Sequence, residues 1–590
     1  MSIPEIVFTV ADNALGLLGP SDEQTYLAMG VASYPSTSTV ITDQLYTISD
    51  IGTMQSTFVG GELVEAVALA LTTSNCTALC MALPASYSET LGNGTNLNTS
   101  STGPALATAS GTPNGAYNIS VQVITAGHTI AAGGCVVLAT INGVVGANYV
   151  LPAGGAFVLS SANTGLTYTT GLTWTFGSGT PVVGDIYSGY AYINTSAVTT
   201  TSAAGTLAIS NAANYSGPAD EYNATITVVT GGLYSAGTMV ITYSLDGNTV
   251  SNPIAIPITG TYTIPNTGLL LTFGGTTVAG DTFNFSTVPP TFTLASLATA
   301  WTTVLNSNQL FRFAHIIGGP TQSVYASAAL QQAMDSHLTA AFNQNIFTRA
   351  IIQCPTDTDI DITTGFENAF SKRVSTAVGQ TGTISPITGY IEERSVAWTA
   401  TARAIGTPIS TKLGAVAMGP IEGITSISYN AQKDSTLATS QPPFITTRTL
   451  PGAGGFYFTN GPLQSALPSD FVDLVYGFVI DEACTLTYAA LLQYLNGNVR
   501  VNSNGTIFAP DAAAINAAVS SAITDVLCGT ANPFGTPNAS AVSATVNTNA
   551  NILSTSTLPV TIRVTPFGYN SSITVNISFY NPALNIQVAA

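Results

Sequence analysis

Three aspartates alternate along the stretch CPTDTDIDITTGFEN, and their spacing makes it the best candidate in the chain for binding chemistry. Asp357, Asp359 and Asp361 are placed as the first carboxylates of a calcium-binding loop are. An EF-hand also needs glycine at the sixth position and glutamate at the twelfth, where this chain has Ile362 and Asn368. Two interpretations stay open: a turn at the end of a strand with solvated carboxylates, or a non-standard cation site.

The three histidines, His128, His315 and His337, stand in no motif for nucleophilic or metal chemistry. The chain has no G-x-S-x-G elbow, no H-E-x-x-H pair, no P-loop and no strand-linked G-x-G-x-x-G. We therefore predict no catalytic residue, no cofactor, no cofactor-binding residue and no standard metal site, and we predict that the protein is not an enzyme.

The cysteines are too widely spread for a disulfide framework in a chain of 590 residues. Cys76 and Cys80 have helical spacing, but no histidine lies near them, so buried apolar thiols are a better interpretation than a metal pair. A disulfide between subunits stays open for the whole set: Cys76, Cys80, Cys135, Cys354, Cys484 and Cys528.

Charge is scarce and unevenly distributed. Only 7% of the residues are charged, and the formal net charge is −18. No lysine or arginine precedes Arg312, whereas residues 1–311 hold 14 acidic side chains. Nucleic-acid binding needs clustered lysine and arginine, so we predict no nucleic-acid partner for this half.

The beginning of the sequence does not resemble an export signal. It lacks a basic n-region and carries Glu5 and Asp12. No apolar run reaches the roughly 18 residues that span a bilayer. We expect a soluble chain, made in a cytoplasm, without a membrane anchor.

The stretch FGSGTPVVGD at 176–185 returns as FGGTTVAGD at 273–281. Upstream residues also match, such as Tyr117 with Tyr222 at an offset of 105 positions. Both copies, each roughly 80 residues long, alternate β-branched runs with Asn-Gly or Asp-Gly pairs, which predicts antiparallel β-structure. The Gly-Asp that ends each motif predicts a turn whose Asp side chain accepts from its own backbone.

Around this duplication the pattern changes to helices that alternate with strands. Residues 313–318, 323–342 and 349–354 predict strand, helix and strand, which together make a βαβ unit. A helix at 60–73 and a strand at 78–83 precede the duplication. The simplest account is one α/β domain that the two copies interrupt.

The last third of the chain adds further elements. Helices are predicted at 471–495 and 511–527, and strands at 560–564 and 573–579. A further helix at 294–305 precedes the βαβ unit. The predicted fold class is multidomain α+β: a discontinuous α/β core, interrupted by two tandem antiparallel β-sandwich modules, with an α+β C-terminal domain.

The predicted segments follow the chain. They are an N-terminal arm (1–24), the first part of the core with a Gly/Ser/Thr/Asn linker (25–105), module 1 (106–195), module 2 (196–292), the second part of the core (293–455), the C-terminal domain (456–580) and a C-terminal arm (581–590).

Both ends of the chain alternate apolar residues with polar or small ones, without a local hairpin partner. Such a strand either closes its own sheet or is donated to the sheet of a neighbouring subunit. The candidate residues of such inter-subunit arms are Ile6, Phe8 and Val10 at one end, and Leu584, Ile586 and Val588 at the other.

An ordered series of phrases carries a resemblance to a known family. The series is GVASYPSTSTVITDQLYTISDIGTMQSTFVGGELVEAVALAL (30–71), ARAIGTPISTKLGAVAMGPIEGITSI (402–427), LPGAGGFYFTNG (450–461), SDFVDLVYGFVIDEA (469–483), NGNVRVNSNGTI (496–507) and IRVTPFGYNSSITVNISFYNP (562–582). In this order the phrases resemble the tail sheath proteins of contractile-tailed bacteriophages. The resemblance covers roughly residues 25–85 and 293–590, and the two modules look like the variable insertions of that family.

The resemblance implies a sheath-like core and a structural role. Subunits would form a helical stack of hexameric rings around a tail tube protein, between baseplate and tail terminator proteins, and contract to drive the tube through the host envelope. The polymer would be part of the virion and would be assembled in the host cytoplasm. The chain departs from the family in one respect, because its helix at 471–495 carries no basic residue.

Two other functions stay open. A secreted or surface-array β-module protein of the adhesin type would share the composition and the tandem modules. A glycan-cleaving tail protein would need paired carboxylates in a β-scaffold.

Overall fold

The computed structural model describes residues 22–34, 41–91, 93–98, 101–319, 323–356 and 358–575. Within these ranges the protein is a multidomain α+β fold with seven sheets and eleven α-helices. This architecture agrees with the α+β class that the sequence predicts.

The largest mixed layer is a six-stranded sheet, called here the core sheet. Thr25–Val31 pairs in parallel with Thr77–Leu83 on one side and with Phe313–Ile316 on the other. The sheet therefore joins residues from before and after the two modules, and only the edge strand Leu45–Ile48 is antiparallel. Its spatial order is Leu45–Ile48, Thr77–Leu83, Thr25–Val31, Phe313–Ile316, Arg349–Cys354 and Val374–Val378.

Helices cover both faces of the core sheet. Trp398 and Phe478 pack on one face, and Trp301 and Met334 pack on the other. Because both faces are covered, the central strands are apolar throughout rather than alternating. One face carries the helices Ile51–Phe58, Glu62–Thr73, Val396–Ile405 and Leu474–Leu492, and the other carries Leu294–Asn306 and Val324–Asn343.

Most elements that the sequence predicts outside the modules are confirmed. Side chains of Thr293 and Ser323 cap two of the helices by accepting backbone N–H groups, as their residue types favour. The confirmed elements are Glu62–Thr73, Thr77–Leu83, Leu294–Asn306, Phe313–Ile316, Val324–Asn343, Arg349–Cys354, Leu474–Leu492, Ala509–Leu527 and Val560–Thr565.

Module 1 is one antiparallel sheet whose two halves enclose a common core around Phe157 and Trp174. The linker prediction is wrong in part, because Gly94–Asn96, within the predicted linker, is a strand. It pairs with Leu106–Gly111, and these two strands connect the two halves. The strands run in the order Val144–Val150, Val136–Ile141, Tyr117–Thr125, Ile186–Ala191, Gly94–Asn96, Leu106–Gly111, Leu172–Phe176 and Ala156–Val158.

Module 2 consists of two sheets that share a core around Ile226 and Phe283. One sheet has the order Thr199–Thr200, Thr282–Ser286, Asn223–Thr230, Val240–Ser244 and Ile254–Ala255. The other contains Gly205–Asn211, Leu269–Thr277, Gly232–Leu233 and Thr261–Ile264.

The Gly-Asp turns repeat between the two modules at the level of single hydrogen bonds. Asp185 accepts from the Val182 N–H at 3.1 Å and from Ser101 Oγ at 2.7 Å. Asp281 accepts from the Val278 N–H at 2.8 Å and from an equivalent serine hydroxyl. The predicted capping of the turn by its own aspartate is confirmed in both copies.

Smaller elements complete the described chain. The remaining strands are Gln380–Ile384, Ile391–Ser395, Ile424–Ile427, Thr447–Leu450, Ala453–Phe458 and Ala541–Val546. The short helices are Ser161–Thr164, Asp359–Gly365, Thr436–Thr439 and Ile552–Thr555, with 3-10 turns at Asp22–Gln24, Tyr234–Ala236 and Val416–Met418.

Candidate functional site

Two strands near the end of the described chain form a sheet with both outer edges open. Ala541–Val546 pairs with Val560–Thr565, and no other described strand pairs with either. One side of this sheet packs on the helix Ala509–Leu527. A two-stranded sheet is marginal by itself, and its free N–H and C=O groups can pair with a further strand. We call this pair the open sheet.

The residues predicted to form terminal arms lie outside the described residues, so their role stays a prediction. The strand predicted at 573–579 is wrong for 573–575, where the chain has no regular structure and Ile573 is 78% exposed. No described strand lies beside it to supply a ladder of hydrogen bonds. The predicted arm residues are Ile6, Phe8, Val10, Leu584, Ile586 and Val588.

A buried arginine joins module 2 to the core. Arg394, on the strand Ile391–Ser395, donates to both carboxylate oxygens of Asp220 at 2.8 and 2.7 Å. It also contacts Glu392, and its guanidinium lies 5.0 Å from the ring centroid of Trp398. The planar guanidinium thus satisfies a carboxylate at the base of the module and packs on an aromatic ring at once.

Acidic side chains outnumber this arginine at the junction. Glu62 and Glu65 of the helix Glu62–Thr73 lie close enough to interact with Arg394, and Glu65 accepts from Ser385 Oγ at 2.5 Å. Burial raises the pKa of Glu62 to about 8 and that of Glu392 to about 7. The junction therefore holds protons near neutral pH.

A second contact joins module 1 to the core. Ser120, on the strand Tyr117–Thr125, donates to Asp361 Oδ1 at 2.7 Å, and both side chains are buried. Asp361 lies in the first turn of the helix Asp359–Gly365, which Thr358 caps. The turn predicted for the aspartate stretch is therefore a short helix, because Thr358 supplies an N-cap that favours helix over turn.

The remaining members of the aspartate stretch do not form a described metal site. Asp357 lies outside the described residues, and among those described no group of three His, Cys, Asp or Glu is placed to hold a metal ion. Asp359 lines a groove of about 1050 Å³ between module 1 and the core, where burial and a hydrogen bond with Asp434 raise its pKa to about 6. Carboxyl groups that share a hydrogen bond lie closer together than the two carboxylates of a glycosidase, which stand about 5 Å or more apart. Asp359 and Asp434 therefore do not have the spacing of a glycosidase pair.

The histidines are placed for packing rather than for proton transfer. His315 is buried in the core sheet, and burial lowers its pKa to about 3, so the ring is neutral. His337 stacks on Trp301 with ring centroids 6.0 Å apart. In the described part of the chain, no histidine ring takes part in a hydrogen bond with a serine, threonine or cysteine.

All six cysteines are free thiols. Cys76 directly precedes the strand Thr77–Leu83 and Cys80 lies within it, so their spacing is not helical. Both are buried, and burial raises the pKa of the Cys80 thiol far above its usual range. The prediction of buried apolar thiols is confirmed for this pair, and a raised pKa makes it unreactive.

The helix Leu474–Leu492 has the length and mean hydropathy, 1.3, of a membrane span, but its first half belongs to the core. There Asp481 forms an ion pair with Arg349 at 2.8 Å and accepts a hydrogen bond from its Nη2 at 3.0 Å. Its second half is more exposed and presents Tyr488 and Leu492 at 41% and 47% exposure. This uncharged end is an apolar surface at the rim of the domain.

Sequence reasoning missed the ion pairs Arg394–Asp220 and Arg349–Asp481. The scarcity of basic residues could have indicated them. With only 11 lysines and arginines in the chain, a base that becomes buried is expected to pair with a carboxylate. Their partners lie 174 and 132 positions away, which no local pattern indicates.

Residues 3–462 match the N-terminal domain of the family DUF2586. The chain belongs to the DUF2586 family. A comparison of this DUF2586 protein with curated proteins finds no match.

Among solved structures, the DUF2586 protein is similar to a sheath tail protein from Listeria innocua, with 11% identity, 92% of each chain covered and a TM-score of 0.40. It is also similar to a sheath tail protein from Desulfitobacterium hafniense, with 9% identity, 96% of this chain and 100% of that chain covered, and a TM-score of 0.37. TM-scores of this size do not establish a common fold.

Proposed function

We propose that this protein is the structural subunit of a contractile phage tail sheath. Copies stack as hexameric rings around a tail tube protein, held between baseplate and tail terminator proteins, and contract to drive the tube through the host envelope. The polymer is part of the virion and is assembled in the host cytoplasm. It binds no nucleic acid and carries out no catalysis.

The observation that carries this proposal is the open sheet. It offers two edges that no described strand pairs with, and the sequence has two termini with strand alternation and no local partner. An arm from a neighbouring subunit that pairs with each edge completes a four-stranded sheet by β-augmentation. Backbone hydrogen bonds of this kind persist while domains rotate, which a contracting polymer requires.

The module junctions support a subunit that moves as a rigid body. Asp220 is held by Arg394, and Ser120 by Asp361, so each module has a buried polar link to the core. The modules therefore follow the core when rings rotate, and they face outward as neutral or acidic surfaces.

The tube-facing contact is apolar in this proposal. The sheath resemblance implies bases on the helix that matches Leu474–Leu492. Here the exposed half of that helix instead presents Tyr488, Leu492 and, beyond the helix, Leu495 at 72% exposure. Uncharged side chains favour burial against an apolar strip of the tube protein over salt-sensitive ion pairs.

Sedimentation velocity without detergent tests the proposal. The full chain is expected to form large assemblies at micromolar concentration. Replacing Leu584, Ile586 and Val588 by aspartate should leave monomers, because these residues form one face of the predicted arm. The matched control replaces Asn585 and Gln587 by aspartate on the other face and should still assemble. Equal assembly of both variants contradicts the arm mechanism.

The other functions make different predictions. A surface-array or adhesin-type protein predicts dispersed monomers in the same sedimentation experiment. A glycan-cleaving tail protein predicts release of reducing sugar from host envelope glycans, which the proposed sheath subunit does not produce.

A further inference from the structure

Three of the eleven basic side chains line one cavity of about 350 Å³ at the amino ends of two core strands. Arg349 begins the strand Arg349–Cys354, and Lys372 and Arg373 directly precede Val374–Val378. We call this space the cationic cavity. In a chain with a net charge of −18, such a concentration of bases is unusual, and it favours the binding of an anion.

Arg349 is already satisfied by internal contacts. It forms two contacts with Asp481 at 2.8 and 3.0 Å, it donates to the backbone oxygen of Lys372, and its guanidinium lies 5.1 Å from the ring of Phe471. It serves as a fixed wall of the cavity.

Arg373 and Lys372 are not satisfied in this way. Among the described residues Nη1 of Arg373 donates no hydrogen bond, and its ion pair with Asp481 is long, at 4.0 Å. Its side chain is only 17% exposed and is held over the Phe342 ring at 4.3 Å. Lys372 is exposed and forms no ion pair within the described part of the chain. The Lys372 ammonium and Nη1 of Arg373 thus offer the cavity hydrogen-bond donors that no described residue accepts from.

The walls also define what fits. The walls include one carboxylate, Asp335, which accepts the hydroxyl of Ser371 and also attracts Arg373. Phe370 and Phe471 supply apolar surface beside the bases. A planar carboxylate matches the fork of an arginine, and a short apolar stem beside it matches the phenyl rings.

We propose that the cationic cavity is a binding site for a carboxylate, held by Arg373 and Lys372 against the wall formed by Arg349. The carboxylate belongs either to a small free organic acid or to an aspartate or glutamate of a second copy of this acidic chain. The site is independent of the sheath proposal.

Calorimetric titration with succinate at low ionic strength tests the free-ligand source, with uncharged succinamide as the matched ligand. Wild type should bind succinate and not succinamide, and Lys372→Gln and Arg373→Gln should each weaken binding about tenfold. Lys433→Gln, which removes an exposed lysine outside the cavity, should leave the affinity unchanged.

Sedimentation of the same four proteins tests the second source. If succinate does not bind, Lys372→Gln and Arg373→Gln should lower self-association at least tenfold while Lys433→Gln does not. The proposal is overturned if neither variant changes succinate binding or self-association, or if Lys433→Gln changes them as strongly. Because Lys372 is exposed, its variant reports on the site even if Arg373→Gln fails to fold.

Discussion

Arg394 and Asp220 lie 174 positions apart in the chain, yet their side chains form a two-pronged ion pair with hydrogen bonds of 2.8 and 2.7 Å. Asp220 lies in the loop before the strand Asn223–Thr230 of module 2, and Arg394 lies on the strand Ile391–Ser395 of the core. The pair is a charged link between module 2 and the core, and the carboxyl groups of Glu62, Glu65 and Glu392 lie around it.

Replacing this arginine should therefore be costly. Arg394→Met leaves Asp220 and Glu392 buried without a cation, and we expect a loss of about 3–5 kcal/mol in the free energy of unfolding. Denaturant unfolding measures the change. Arg500→Met, in an exposed ion pair with Asp511, is the control and should stay near wild type. Equal stability of the two variants contradicts the role of the junction.

The link between module 1 and the core predicts a smaller effect. Ser120→Ala removes a buried hydrogen bond to the Asp361 carboxylate and should destabilise the protein by about 1–3 kcal/mol. Hydrogen exchange should rise in the strand Tyr117–Thr125. Ser110→Ala in the same module loses only an exposed contact of 3.4 Å and should exchange like wild type.

The carboxylates at the module 2 junction predict that stability falls as the pH rises. Glu62, which faces Asp220, Glu221 and Arg394, has a pKa raised from 4.5 to about 8. A raised carboxyl pKa means that the folded state binds the proton more tightly, so its stabilisation is complete below pH 4.5 and is lost towards pH 8. Glu62→Gln should flatten this slope of the unfolding midpoint between pH 5 and 8.5. An unchanged slope contradicts the prediction.

The buried ring of His315 predicts that the stability of the fold also falls at acidic pH. Burial lowers its pKa from 6.5 to about 3, so the folded state favours the neutral ring. Its stabilisation is complete above pH 6.5 and is lost as the pH falls towards 3. His315→Leu has similar volume and removes two buried ring nitrogens that make no hydrogen bond to any described residue. It should move acid unfolding to lower pH, and an unmoved acid midpoint contradicts this.

Local chemistry was predictable from the sequence, and long-range pairing was not. The turn at Asp185 could be predicted because its partner Val182 is three positions away, and the same sequence motif is repeated at Asp281. The role of Ser120 could not, because its partner Asp361 is 241 positions away and both types are common in loops. Helices with strong apolar periodicity and a capping residue were placed within a few residues.

Composition misled the prediction where a strand is built from turn-like residues. Gly94–Asn96 lies in a Gly/Ser/Thr/Asn stretch that predicts a linker, yet it pairs with strands of module 1 on both sides. Neighbouring strands decide this outcome, because β-propensity depends strongly on context.

Copies of this chain are proposed to polymerise by pairing their terminal arms with the open sheet of a neighbouring subunit. Negative-stain electron microscopy of the full chain, beside a version that lacks residues 1–12 and 581–590, tests this proposal most directly. The full chain should form hollow tubes or stacked rings, and the trimmed chain should not. Tubes from both proteins contradict the arm mechanism, and dispersed monomers from both, even with tail tube protein added, contradict the sheath function itself.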